Sequence, residues 1–236
     1  MSGMRYYPFL IFAICVSIFG LFIVLMLAVN PPMIYEDFLW RKPLIGSVFS
    51  LICLLGILAA LFPTQCLQLS HFRTLNMNFT SHQVHFTSHH PDCGKFSAHV
   101  IHVRSHTLCV ACTGLLLGAT IALVGTVFYF FGRWNIEDAS FPAVLIGVVG
   151  AVLGFFQLKF KSVIRLTLNL CFVFGAFLIL VGIDAIIESL FVDFFIIALI
   201  VFWILTRIQL SQWDHWRICS SCKSPCEVRK AKKKRS

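Results

Sequence analysis

Six apolar runs leave this chain one environment to fold in. They cover roughly Pro8–Val29, Leu44–Phe62, Leu108–Phe131, Pro142–Leu158, Leu166–Ile187 and Leu190–Thr206. Each is close to the ~17–25 residues that a helix needs to cross hydrocarbon. The composition agrees, with 58% hydrophobic and 12% charged residues and a mean hydropathy of +0.87. A soluble domain carries about twice that share of charge. The expected fold is an all-α transmembrane helix bundle of about six spans with a small cytoplasmic Cys/His zinc-binding loop. The first run lacks the small-residue cleavage site of a signal peptide and is read as a span. The last two runs are divided at Asp184, Glu188 and Asp193, where neither Gly nor Pro marks the turn.

The basic residues orient the bundle. With the basic C-terminus in the cytoplasm, six spans return the N-terminus to the same side. The outer segments then hold only Arg41, Lys42 and Arg133 of the 19 Lys and Arg. Four regions follow: residues 1–62 with two spans, a cytoplasmic Cys/His-rich loop at 63–113, four spans within 108–206, and a basic cytoplasmic tail at 207–236. In a prokaryote the membrane would be the plasma membrane. The loop and the tail share a reducing compartment, so their cysteines are thiolate ligands rather than disulfides. Cys15, Cys53 and Cys171 lie inside spans and serve as small apolar residues.

Eight of the nine histidines fall between His71 and His106. Within that stretch His90 and Cys93 form one ligand pair, followed by Gly94. Cys109 and Cys112 form a second after fifteen intervening residues. Two pairs at this separation fit a tetrahedral zinc pattern with His in the first slot. His89, His99 and His102 are rivals for that slot. The residues around Ile101 alternate as a strand does. Cys112 leads through Thr113-Gly114 into the third apolar run, so the second pair sits where a helix begins. Unpaired N–H groups and the positive end of the helix dipole favour thiolates there.

This order of knuckle, strand or hairpin, and Cys-x-x-Cys entering a helix resembles a treble-clef zinc module. The resemblance covers about 25 residues and implies zinc on His90, Cys93, Cys109 and Cys112. The module's helix would here be a membrane span. A His ligand in such a knuckle favours zinc over an iron–sulfur cluster. The stretch from His89 to Gly118 also resembles a family of uncharacterised prokaryotic polytopic membrane proteins. Those combine a Cys/His-rich loop with Cys-x-x-Cys-Thr-Gly at a span start. That resemblance implies membrane location and no particular activity.

The tail carries a second ligand set, His215, Cys219, Cys222 and Cys226, which could hold its own metal or join the loop site. Trp213 and Trp216 suit an interfacial anchor. The run Arg229–Arg235 would attract anionic lipids at about 1 kcal/mol per basic residue. Nucleic acid is the weaker partner, because no stacking surface accompanies the run. A protein partner or a second copy is compatible with small-residue seams at Gly114/Gly118/Ala122 and Ala143/Gly147/Ala151. Asp184, Glu188 and Asp193 are expected at an outer turn, with their carboxylates reaching water.

Three functions are compatible with these features. In the first, a closed four-ligand zinc site has a structural or partner-docking role. In the second, Cys109 and Cys112 act as a membrane dithiol in thiol–disulfide or electron transfer. The third, metal transport or sensing, lacks intramembrane ligands. No nucleotide loop or hydrolase motif is present.

Overall fold

In a computed structural model of the chain, the structure describes residues 2–32, 39–61, 86–87, 90–91, 100–103, 106–132, 134–160 and 162–221. Within these, only the backbone is described at 2–7, 86–87, 90–91, 100–103, 106–108, 159, 162, 215–216 and 219–221. Among the described residues, six helices are long and apolar enough to cross a membrane. They are α1 (Ser2–Val29), α2 (Arg41–Leu61), α3 (Val110–Thr126), α4 (Ser140–Phe155), α5 (Ser162–Ile187) and α6 (Leu190–Ser221). The chain is an integral, multi-pass membrane protein on this length and apolarity. Helices answer the lipid's central demand, since each backbone N–H and C=O must find its partner inside the segment.

The boundaries follow the apolar runs closely, with one extension. The sixth helix continues beyond Thr206 to Ser221. Its 32 residues span roughly 48 Å at 1.5 Å per residue, well over the ~30 Å of hydrocarbon. A π turn, Val127–Phe131, prolongs α3. Short 3₁₀ turns at Glu137–Ala139 and Phe156–Lys159 flank α4.

Among the described residues between α2 and α3 are two antiparallel ribbons. β1 (Phe86–Thr87) pairs with β2 (His90–Pro91), and β3 (Val100–Val103) pairs with β4 (His106–Cys109). The alternation around Ile101 is therefore one arm of a hairpin, whose second arm ends on Cys109 opposite Val100.

α5 is the central helix. Buried residues make up 61% of its span, against 22% for α2. It packs most extensively on α4 and α3, and also contacts α6 and α1. Close approach explains the partners. A Cβ on Gly147 would come within 2.6 Å of the Gly175 carbonyl oxygen, and one on Gly175 within 2.6 Å of the Gly147 oxygen. A Cβ on Gly150 would meet the Cys171 oxygen at 2.6 Å. On α3, Gly114 packs against the Leu166 carbonyl and Gly118 against Leu170 and Val173. Both small-residue seams therefore lie inside the bundle. Lipid tails offer no hydrophobic drive between helices, so such contacts rest on dispersion at short range.

The core contains Phe49, Phe172, Ile179, Leu180, Ile183, Ile196 and Trp203. The outer surface is also apolar, with Phe12, Phe19, Leu51, Leu55, Ile146 and Phe191 among its exposed residues. A protein surrounded by water would not keep such a surface. Hydroxyls inside spans donate to their own helix four residues back, as Thr126 does to the Ala122 carbonyl at 2.7 Å and Thr206 to Phe202 at 2.9 Å. Cys53 is buried in the core, whereas Cys15 is exposed on the apolar surface.

The division between α5 and α6 falls where the sequence places it, at Glu188 and Ser189. Without glycine, Glu188 itself takes the left-handed conformation, φ 50°. The expectation that all three carboxylates reach water is corrected. Glu188 is exposed, but Asp184 and Asp193 are fully buried. A guanidinium brought in from α2 partners both, and buried carboxylates persist in such company.

Candidate functional site

The described charged residues of the bundle gather at its two ends. One end joins the start of α2, the π turn after α3, and the α5–α6 connection. Arg41 Nη1 lies 2.7 Å from Asp184 Oδ1 and 2.7 Å from Asp193 Oδ2. The Tyr129 hydroxyl donates to Asp184 Oδ2 at 2.6 Å. Lys42 Nζ stands 4.0 Å from the same oxygen and 5.1 Å from the Tyr129 ring centroid. Asp193 Oδ1 is buried with no hydrogen-bond partner among the described residues. Four elements are thus tied at one point. Trp40 and Trp134 are exposed at this end, where an aromatic belt meets the lipid headgroups.

The other end contains the Cys-x-x-Cys pair. Cys109 closes β4 in extended conformation, φ −72° and ψ 123°, and occupies the N-cap of α3 with no side-chain cap hydrogen bond. Cys112 is the third residue of that helix. N-cap and N3 are the positions whose side chains turn toward each other over the first helical turn. This gives a physical reason for the two-residue spacing. The Thr113 hydroxyl donates to the Cys109 carbonyl at 2.9 Å. Cys109 is buried and Cys112 half-buried.

Beneath this pair lies a polar layer that the sequence reading missed. Arg165 of α5 and Arg207 of α6 are buried there, within electrostatic range of both Cys109 and Cys112. Arg165 Nη1 stands 3.8 Å from Asp214 Oδ2, and Arg217 Nη2 donates to Asp214 Oδ1 at 3.0 Å. Arg207 Nη2 donates to Gln157 Oε1 at 3.1 Å, and its guanidinium lies 5.6 Å from the Phe172 ring centroid. Arg207 Nε, Gln157 Nε2 and Asn169 Oδ1 are buried with no hydrogen-bond partner among the described residues. One signal was available in the sequence. Arg207 and Asp214 are seven apart, two turns along one helix face, and both lie just beyond the last apolar run.

Among the described residues, no three His, Cys, Asp or Glu side chains gather closely enough to hold a metal ion. His90 is on β2, His215 and Cys219 are on consecutive turns of α6, and only their backbones are described. Cys66, Cys93, Cys222, Cys226 and the run Arg229–Arg235 lie outside the described residues. Of the expected ligands, the structure brings Cys109 and Cys112 together on one helical turn. That donor pair suits a soft divalent cation, and its positive surroundings suit thiolates.

No protein-family model, curated protein or solved structure matches the chain.

Proposed function

We propose that a zinc ion on His90, Cys93, Cys109 and Cys112 fastens the cytoplasmic loop to the end of the bundle, as a structural anchor or a docking point for a protein partner. The observation that carries this reading is Cys109, which ends the β3–β4 hairpin and caps α3 above two buried arginines. A metal held there would bind soluble loop and membrane helix as one unit. Four protein ligands leave no open position, and closed sites are structural far more often than catalytic. His215, Cys219, Cys222 and Cys226 form a second metal site at the end of α6 in this proposal. Both termini face the cytoplasm, and the basic tail holds anionic lipids.

The same arginines favour one other reading. A Cys-x-x-Cys at a helix N-terminus beside fixed positive charge is also how a dithiol is activated for exchange or electron transfer.

Metal analysis of the full chain in mild detergent separates the two. About one zinc per chain, lost in Cys109→Ser/Cys112→Ser, supports the anchor, and about two, falling to one, adds the tail site. Protein without metal whose thiols oxidise readily would replace it with the dithiol reading.

A further inference from the structure

Asp184 and Asp193 bring two carboxyl groups to one guanidinium nitrogen. Each places an oxygen 2.7 Å from Arg41 Nη1, so those oxygens lie no further apart than twice that distance. The two side chains are 0% and 1% exposed. They are also within hydrogen-bonding range of each other, and two carboxyls bond to each other only through a proton. Like charges this close in a dry site do not both ionise readily. The donors are divided unequally. Asp184 receives Arg41 on Oδ1 and the Tyr129 hydroxyl on Oδ2. Asp193 receives Arg41 on Oδ2, and its buried Oδ1 has no hydrogen-bond partner among the described residues. Asp184 therefore has the surroundings of a carboxylate, and Asp193 those of a carboxylic acid. Lys42 stands 4.0 Å from Asp184 Oδ2 and is 39% exposed, so it adds to Asp184. The other acids described at this end, Glu137, Asp138 and Glu188, are exposed.

We propose that Asp193 is a proton-binding site, its carboxyl holding one proton while Asp184 stays the carboxylate between Arg41 and Tyr129. With the proton bound, the buried groups reduce to one guanidinium and one carboxylate, a matched pair. Without it, a second negative charge is buried against the first and strains the start of α6 against its Arg41 anchor. The dipole of α6 favours an anion in its first turn only weakly, against the cost of burying that second charge. The proton exchanges with water at this membrane face, where Lys42 and Glu188 are exposed. Carboxyls buried in membrane bundles commonly carry protons in this way. The inference is independent of the zinc reading.

Neutral amides separate the two carboxyls. Asp193→Asn imitates the protonated form. In detergent-solubilised full-length protein at neutral pH, its Tm should lie within about 2 °C of wild type. Asp184→Asn removes the anion that Arg41 and Tyr129 hold, and should lower Tm by roughly 5 °C or more. As pH rises and the proton leaves, wild type should lose stability that Asp193→Asn keeps, because the folded state binds the extra proton. Infrared spectroscopy of protein with carbon-labelled aspartate reads the proton directly, and wild type alone serves if a variant does not accumulate. A protonated carboxyl band should be present at neutral pH, shift in heavy water and fade as pH rises. It should vanish in Asp193→Asn and persist in Asp214→Asn. A wild-type spectrum without that band at neutral pH would overturn the proposal. So would a band that survives in Asp193→Asn, or an Asp193→Asn protein destabilised as much as Asp184→Asn.

Discussion

Arg41 Nη1 and Asp184 Oδ1 stand 2.7 Å apart although 143 residues separate them in the chain. The same nitrogen reaches Asp193 at 2.7 Å. One guanidinium at the start of α2 therefore holds the α5–α6 turn closed. Removing it would leave two carboxylates buried with little compensation. We expect Arg41→Met to destabilise the bundle by about 3–5 kcal/mol. In a thermal melt in detergent this is an apparent Tm lower by on the order of 10 °C. Adding Asp184→Asn and Asp193→Asn should recover much of the loss, because no unpaired charge then remains. A melt of Arg41→Met that matches wild type would refute this account of the cluster.

Tyr129 tests the same cluster from α3. Tyr129→Phe keeps the ring and removes one hydrogen bond to a carboxylate. The expected cost is roughly 1.5–3 kcal/mol. Lys42 is 39% exposed and 4.0 Å from Asp184, so Lys42→Gln should cost under about 1 kcal/mol. Chemical denaturation of the two variants side by side gives the order directly.

The α4–α5 seam makes a steric prediction. A Cβ on Gly175 would lie 2.6 Å from the Gly147 carbonyl oxygen and 3.1 Å from Ala151 N. These are backbone atoms of a packed helix, which cannot turn aside as a side chain can. Gly175→Ala should cost about 1–3 kcal/mol as the helices are forced apart. Gly56 on α2 has nothing within 4 Å of its Cβ position. There the same change should be neutral or stabilise by up to about 1 kcal/mol, through helix propensity alone.

The proposed zinc anchor predicts unequal effects of metal removal. Chelation should make the 63–107 loop far more sensitive to protease while the spans stay protected, since only the loop depends on the ion. Cys112→Ser should copy that pattern without chelator. Loop cleavage at the same rate with and without metal would count against an anchoring role.

The proposed orientation is checked with epitope tags in intact cells. Tags at the two termini should be inaccessible from outside, and a tag inserted after Asn135 accessible. The reverse pattern would invert the assignment.

The apolar runs predicted the spans to within about five residues, except at the far end of the sixth, which runs on to Asp214. Pro8–Val29 matches outright, and Leu44–Phe62 became Arg41–Leu61. Crossing hydrocarbon depends on the length and apolarity of one segment, both of which are local. The start of α3 was legible for a similar reason. Cys109 and Cys112 are followed at once by the apolar run, and the alternation before them announced the extended arm that became a hairpin. The seams at Gly114/Gly118 and Ala143/Gly147 were visible as small residues every four positions, but Gly175, which completes the closest contact, was not. The charged residues were misread in one way throughout. Arg41, Arg165 and Arg207 counted only as markers of orientation, and Asp184 and Asp193 as solvated ends of a turn.

Membrane insertion, the number of spans and their boundaries follow from the chain read one segment at a time, because lipid judges each segment by its own apolarity and its own backbone hydrogen bonds. Which charges are buried, and against what, belongs to the tertiary structure alone. A carboxylate such as Asp184 is tolerable in the bundle only because Arg41 and Tyr129, from two other helices, arrive at its oxygens. Likewise Arg207 comes within electrostatic range of Cys109 and Cys112 only because α6 packs against α5 and α1, and no local pattern in the sequence encodes that meeting.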